Sequence, residues 1–426
     1  MVTSPIMSQA PPPASAGAPL PREGRSWPEL AQALRDLKRD DLDWRRGRHA
    51  AFVWHADDAV EQVARDAYAT FMTENGLGLR VFPSLRRMEA DVVAMVRHLL
   101  GGDAGTTGHL TSGGTESIFL ATHAARQWAR QRRPDVTEPE IVAPWSAHPA
   151  VNKAAHYLGM KVRRVPVGDG FRADVAAMAA AITPRTVMLY GSAPTYSLGV
   201  IDPIAELADL ARRHGLWLHV DACVGGILGP FVRALGHPVP EFGLPLPGVT
   251  SVSADLHKSG YAAKGASVVL FRTAEHQAVG RYDFDDWPTG LYSVNTFTGT
   301  RPGGAIAAAW AVMHFLGEAG YRRIAATVME AKARLVEGLA RVGLHVWGEP
   351  ELWAVGFGSA DPDIFAVADR MTARGWSVGR IREPRGIHLM LTPVHAPIID
   401  EYLADLARGV IEARAVTGPS PTRAVY

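Results

Sequence analysis

Apolar positions recur at helical spacing near the start of the chain. The run WPELAQALRDLKRDDLDW from Trp27 has this patterning, and a second helix is predicted over about 58–73, with Val60, Val63, Ala64, Ala67 and Phe71 on one stripe. The Gly-punctuated stretch NGLGLRVF at 75–82 reads as a loop. Pro83 then opens a helix at its first position, which continues through Met88, Val92, Met95 and Leu99.

From about 105 to 275 the period changes. Short β-branched runs at 141–143, 162–166, 186–190, 216–220, 250–253 and 266–272 alternate with helical segments such as 203–214. Apolar strands alternating with helices imply a mostly parallel sheet covered on both faces. In such sheets ligands bind beyond the carboxyl ends of the strands. A long helix over 304–342, or a pair broken near 317–320, follows. Strands at 344–347 and 387–391 and helices at 363–374 and 397–415 make a smaller α+β unit. There is no internal repeat.

Composition narrows the class. The chain has 426 residues, 47% hydrophobic and 20% charged, which is enough apolar material for a large core. Lys plus Arg is 44 and Asp plus Glu 43, a formal charge of +1, so the basic excess of a nucleic-acid binder is missing. No run of 18 apolar residues is present, and no membrane span is expected. The one cysteine, Cys223, excludes an intrachain disulfide and Cys-based zinc or iron–sulfur sites. A cytoplasmic, reducing setting fits, and no metal is expected. The first 26 residues mix Pro5, Pro11, Pro12, Pro13, Pro19 and Pro21 with Ala, Ser and Gly, lack a secretory signal, and are expected to form a mobile or partner-wrapped arm.

Four short segments carry candidate chemistry. In S-A-D-L-H-K-S-G-Y-A-A-K-G at 253–265, a His–Lys pair follows a strand. Such a lysine, Lys258, can form a Schiff base with an aldehyde cofactor, of which pyridoxal phosphate (PLP) is the usual one, although alone it reads as a solvated surface residue. Asp221 ends an apolar strand and can face a pyridine nitrogen, or simply cap the next helix. T-S-G-G-T-E-S at 111–117 precedes an amphipathic helix. Its glycines and helix N-terminus suit a phosphate, with Ser112 and Thr115 adding hydroxyl donors; an ordinary N-cap is the plainer reading. His148 can stack on a flat ring or merely turn a corner. Together they form an order of phosphate loop, stacking His, Asp at a strand end and His–Lys at a strand end.

That order resembles the large domain of a fold-type I PLP enzyme of the group II decarboxylase branch. Within it, D-W-P-T-G-L-Y at 286–292, T-F-T-G-T-R-P-G-G at 296–304, W-A-V-M-H-F-L-G-E-A-G-Y at 310–321, G-S-A-P at 191–194, H-K-S-G-Y-A-A-K-G at 257–265 and V-F-P-S-L-R-R-M-E at 81–89 are similar to the sphingosine-1-phosphate lyase family, over roughly 45–395. The resemblance implies an aspartate aminotransferase-like α/β fold, with a mostly parallel seven-stranded sheet and a smaller α+β C-terminal domain. It divides the chain into a tail over 1–26, an N-terminal helical segment over 27–85, a large PLP-binding domain over 86–303 and a small domain over 304–426.

The same resemblance implies roles. Lys258 would hold the cofactor, Asp221 would pair the ring nitrogen, and His148 would stack on the ring. Gly114, Thr115 and His257 would hold the phosphate, with Ser112 beside them. Thr300 would donate to that phosphate from the neighbouring subunit of a homodimer, a loop shaped by Arg301, Pro302 and Gly303. Lys264 and Tyr292 would lie near the substrate. The activity implied is retro-aldol cleavage of a phosphorylated amino alcohol to an aldehyde and phosphoethanolamine; an amino-acid decarboxylase is the alternative, and a non-catalytic scaffold the third reading. The chain also departs from the family. Asn75-Gly-Leu-Gly78-Leu-Arg80 stands where the family has N-P-L-H-x-D, and Trp54 stands where it has a tyrosine. Arg80, Trp54 and Asn75 are therefore candidate contacts to a small anionic substrate. No membrane anchor is visible, unlike in eukaryotic members.

Overall fold

The structure, a computed structural model, describes residues 20–415, 420 and 422–424. Most of the expected N-terminal arm, residues 1–19, lies outside the described residues. Helical structure starts where Glu29 accepts the backbone N–H of Ser26 at 2.9 Å. Helix α1 (Trp27–Leu37) buries none of its residues and leaves Trp27, Leu30, Leu34 and Leu37 exposed. Helix α2 (Asp58–Thr70) is capped by Asp57, which accepts from the Val60 N–H at 2.8 Å. Helix α3 (Pro83–Leu99) has Pro at its first position, where the missing N–H costs nothing. It runs unbroken across position 85, so the division placed there falls inside one helix.

Seven strands build the central sheet: β1 (Thr107–Thr111), β2 (Glu140–Pro144), β3 (Lys161–Val165), β4 (Thr186–Ser192), β5 (Trp217–Asp221), β6 (Ser251–Ala254) and β7 (Ser267–Phe271). Their order is β1-β7-β6-β5-β4-β2-β3, parallel from β3 to β6, with β7 antiparallel to both β6 and β1. Helices α4 (Gly114–Arg132), α5 (Ala150–Tyr157), α6 (Val175–Ala180), α7 (Ile204–His214), α8 (Gly229–Ala234) and α9 (Ala274–Ala278) cover it. Every residue of β2, β4, β5, β6 and β7 is buried, as the apolar runs require. Strand β1 was not among the expected ones. T-G-H-L-T has little β propensity, and its pairing with β7 supplies the strand.

A hairpin of β8 (Tyr282–Phe284) and β9 (Tyr292–Val294), also unexpected, stands off the sheet with its residues exposed or half-buried. Helix α10 (Gly303–Arg341) is interrupted at Gly317, whose φ of 52° leaves the helical region, so the expected break is there. The C-terminal unit is an antiparallel sheet in the order β10 (His345–Val346), β11 (Ala354–Gly358), β13 (Gly386–Met390), β12 (Gly379–Ile381), with α11 (Ile364–Ala373) and α12 (Ile399–Arg414). Strands β11 and β12 escape the sequence pattern because glycine interrupts A-V-G-F-G and G-R-I.

One buried pair ties the sheet edge to the surrounding helices. Arg301, expected in an inter-subunit loop, is buried and points into its own chain: Nη1 and Nη2 meet Glu89 Oε1 and Oε2 of α3 at 2.8 and 2.9 Å. It also donates to the carbonyls of Leu110 at 3.3 Å and Gly76 at 3.0 Å, and Glu89 accepts the Leu110 N–H at 3.0 Å. The pair thus satisfies both backbone groups of Leu110, immediately before the predicted phosphate loop. Replacing Glu89 by Ala strands a buried guanidinium, which costs about 3–5 kcal/mol. Glu89→Ala is therefore expected to lower the urea unfolding midpoint sharply; an unchanged midpoint would show that the pair is not structural.

Candidate active site

The carboxyl ends of the sheet strands converge on one cavity of about 350 Å3. β1 delivers Ser112–Gly113–Gly114–Thr115 at the start of α4. The turn after β2 delivers His148, the turn after β4 Pro194 and Tyr196, the end of β5 Asp221, and the turn after β6 Asp255, His257 and Lys258. The parallel strands make this assembly possible, since each ends at the same edge.

Asp221 is fully engaged. Its Oδ2 accepts the Tyr190 hydroxyl at 2.5 Å and its Oδ1 the Cys223 N–H at 3.0 Å. Burial opposes its ionisation, but His148, Tyr190 and Cys223 together hold it below the usual carboxylate range. His148 is itself pushed down by burial, and its Nδ1 accepts the Ala150 N–H at 3.2 Å, which places the neutral ring's hydrogen on Nε2. After His148, the Tyr190 hydroxyl is the largest support of the Asp221 charge. Lys258 Nζ lies 3.0 Å from Asp255 Oδ2. Burial works against its charge, and Asp255 outweighs it, so the amine is held well above the ordinary lysine value.

The phosphate loop is held from behind by Glu116. Its Oε2 accepts the Ser112 N–H and hydroxyl, both at 2.6 Å, and its Oε1 accepts the Phe297 N–H at 2.9 Å. Gly114 permits a close approach: a Cβ there would stand 2.7 Å from Cys223 Sγ and 2.8 Å from Asp255 Oδ2. His257 Nδ1 accepts the Ala266 N–H at 3.2 Å, leaving its Nε2 hydrogen turned toward the cavity side, 3.7 Å from Asp255.

The structure brings Ser112, Gly114, Thr115, His148, Asp221, His257 and Lys258 together around this cavity. It does not bring the others to it within one chain. Lys264 and Trp54 line a separate, mainly apolar groove of about 610 Å3 with Trp44, Tyr68 and Tyr261. Lys264 Nζ donates to the His257 carbonyl at 2.8 Å; the side chain as a whole is exposed, but the packing around its amine and the Lys258 charge push it down, to about 8. Asn75 Oδ1 accepts the N–H groups of Leu77 and Gly78, both at 3.1 Å, so its side chain shapes the turn. Arg80 and Thr300 are exposed, and Tyr292 sits in the hairpin, ring to ring with Tyr282 and Trp287. Tyr196, Asp255 and Glu116 were not singled out. Two of them stood in plain view, Asp255 three residues before Lys258 and Tyr196 two after the G-S-A-P motif.

The residues present fit PLP. A lysine amine, a carboxylate at a strand end, a flat histidine and a glycine-opened helix N-terminus are the donor set that an aldehyde, a pyridine nitrogen, an aromatic ring and a phosphate require. Outside the cavity, His55, Asp58 and Glu61 cluster within metal-ligand reach, but Arg45 is already paired with both carboxylates.

Comparisons with known proteins agree with this geometry. The pyridoxal-dependent decarboxylase conserved domain matches residues 20–357. Sphingosine-1-phosphate lyase of Arabidopsis thaliana is 41% identical over 403 residues, covering 92% of this chain and 73% of that protein. Sphingosine-1-phosphate lyase 1 of Mus musculus is 38% identical over 397 residues, covering 92% and 70%. The solved structure of a Burkholderia pseudomallei sphingosine-1-phosphate lyase superposes with a TM-score of 0.91 at 36% identity, covering 95% of this chain and 96% of that one.

The Asp221 environment predicts an acid limb of stability. Because its folded pKa is depressed, its contribution is complete above the ordinary value of about 3.9 and is lost as pH falls through the lower folded value. Tyr190→Phe removes a hydrogen bond to a charged group, worth about 1.5–3 kcal/mol. The variant should be less stable at neutral pH and should lose its remaining Asp221 stabilisation at a higher pH than the wild type. Acid titration followed by circular dichroism reads both; coincident curves would refute the assignment.

Proposed function

The chain belongs to the pyridoxal-dependent decarboxylase family, and from that premise we propose that it is a PLP-dependent carbon–carbon lyase. Its reaction is that named for its relatives, cleavage of a phosphorylated long-chain amino alcohol to an aldehyde and phosphoethanolamine. The observation that supports this best is the meeting of Lys258, Asp221, His148 and the Gly113–Thr115 loop in one cavity.

Bound PLP supplies an electron sink for the pair released when the bond between carbons 2 and 3 breaks. The protein supplies the rest. Lys258 would carry the cofactor, Asp221 would hold a proton on its ring nitrogen, and His148 would lie against its ring. The first turn of α4 and His257 would hold its phosphate. Ile118, Pro194 and Val224 line the cavity with apolar surface and limit water. The hydroxyl proton of the substrate needs a base; Lys264, at about 8, is partly deprotonated at neutral pH, but it lines the neighbouring groove, so it serves only where the substrate extends from the cavity to that groove.

The working unit is a homodimer. The hairpin and the loop after it expose Tyr282, Phe284, Trp287, Leu291 and Phe297, the last 68% accessible, an apolar face suited to a second copy. Thr300 on that loop would then reach the partner's phosphate site. Sedimentation of the active preparation as a monomer would remove this part of the reading.

Two measurements test the activity. Purified enzyme supplied with PLP and sphingosine 1-phosphate is expected to release a long-chain aldehyde and phosphoethanolamine, with visible cofactor colour that Lys258→Ala abolishes. Carbon dioxide from an amino acid, with no aldehyde, would establish the decarboxylase alternative instead. The kcat/KM is expected to rise as pH increases through about 8, where Lys264 loses its proton. Lys264→Met should lower it by about 10²–10⁴-fold and flatten that limb; an unchanged limb would exclude Lys264 as the base.

A further inference from the structure

We propose that Asp255 is the positioning residue that receives the Lys258 amine whenever that nitrogen is not bonded to the cofactor, and so sets its charge during exchange with substrate. The inference rests on Lys258 being the cofactor lysine.

The geometry begins with the backbone. Strand β6 ends at Ala254, and the chain turns at once, the Lys258 N–H donating to the Asp255 carbonyl at 3.3 Å. This turn puts the side chains of residues 255 and 258 on the same side, with Nζ to Oδ2 at 3.0 Å. Asp255 is 1% exposed, and its Oδ1 is buried without a hydrogen-bond partner among the described residues.

Two buried carboxylates near the same strand ends are held by fixed donors, and Asp255 is not. Asp202, a structural one, accepts the N–H groups of Ala173 and Ser192 at 2.8 and 2.7 Å. Asp221 is committed to Tyr190 and Cys223. Among the described residues Asp255 accepts no backbone N–H and is oriented by two titratable side chains, Lys258 at 3.0 Å and His257 at 3.7 Å. A buried carboxylate not held by the backbone is free to follow a moving amine. Gly114 lets the first turn of α4 close over it, since a Cβ there would stand 2.8 and 2.9 Å from its two oxygens.

The exchange balances as follows. The substrate enters as an ammonium ion, its nitrogen forms the bond to the cofactor carbon, and the bond from that carbon to Lys258 Nζ breaks. With the carbon–nitrogen double bond protonated before and after, two protons pass from the incoming nitrogen to the departing one, and the total charge is unchanged. The departing amine is therefore an ammonium ion in a cavity that would otherwise hold an unpaired carboxylate, and Asp255 is its counter-ion. The titratable groups around Lys258 are Asp255, Asp221, Cys223, His148, His257 and Lys264. Of these Asp255 alone is in ion-pair contact with it. Lys258 so held is a poor base.

The test uses Asp255→Asn and Asp255→Glu. In the holoenzyme, the pH at which the visible cofactor absorbance changes should move down by about one unit or more in Asp255→Asn, because removing the carboxylate disfavours a proton on the lysine nitrogen. Asp255→Glu should return it toward the wild type. After hydroxylamine removes the cofactor, acetylation of Lys258 followed by peptide mass spectrometry should show an apparent pKa above the ordinary value of about 10.4 in the wild type. In Asp255→Asn, acetylation at fixed pH should be about tenfold faster, as a one-unit shift requires. Superimposable profiles for wild type and Asp255→Asn would overturn the proposal. So would a wild-type Lys258 that titrates at or below the ordinary value, a measurement that decides the matter even if the variants do not fold. Borohydride fixing of the cofactor to a residue other than Lys258 would strike the function proposed above instead.

Discussion

Two carboxylates, Asp221 and Asp255, are buried at the ends of neighbouring strands β5 and β6, and the site is organised around keeping both charged. A buried carboxylate without compensation is expensive and would neutralise itself. Each is compensated differently. Asp221 has two fixed neutral donors, a phenol and a backbone amide, and the His148 and Lys258 side chains add to them. Asp255 has a mobile cation. The parallel sheet is what creates the problem, because it delivers every strand end to one edge, and it is also what makes the edge useful.

The scaffold meets the same requirement at a distance. Glu89 and Arg301 fix Leu110, and through it the strand that leads into the phosphate loop. Glu116 then fixes Ser112 and reaches across to Phe297, so the loop and the hairpin segment share one carboxylate. One carboxylate thus links the phosphate loop to the segment that follows the hairpin.

Much of the sheet was legible because its strands are short, apolar and β-branched, and runs such as 186–190 and 216–220 have few other uses. The strands that escaped are held by pairing rather than propensity: β1 with its Thr-Gly-His, β11 and β12 with their glycines. The cavity residues were legible for a related reason. Lys258, Asp221 and His148 follow directly from strand ends, so placing the strands places them. Tyr196 and Asp255 share that position, yet a tyrosine beyond a proline and an aspartate in a turn have so many ordinary roles that only proximity distinguishes them. Trp54, Arg80 and Asn75 depend on long-range packing of the N-terminal segment, which local pattern does not encode.

The turn from 255 to 265 explains how two lysines six residues apart acquire opposite characters. It leaves β6 with Lys258 facing the cavity and passes through Tyr261, a buried residue held at φ 59°. It then returns along the groove wall with Lys264 on the far side of the His257 carbonyl. Lys258 meets a carboxylate; Lys264 meets a neutral carbonyl, apolar walls and the positive charge of the first lysine. The first is driven up and the second down. Each shift reinforces the other, since a permanently charged Lys258 is part of what makes Lys264 give up its proton. The two nitrogens thus differ in charge at neutral pH although one short stretch of backbone links them.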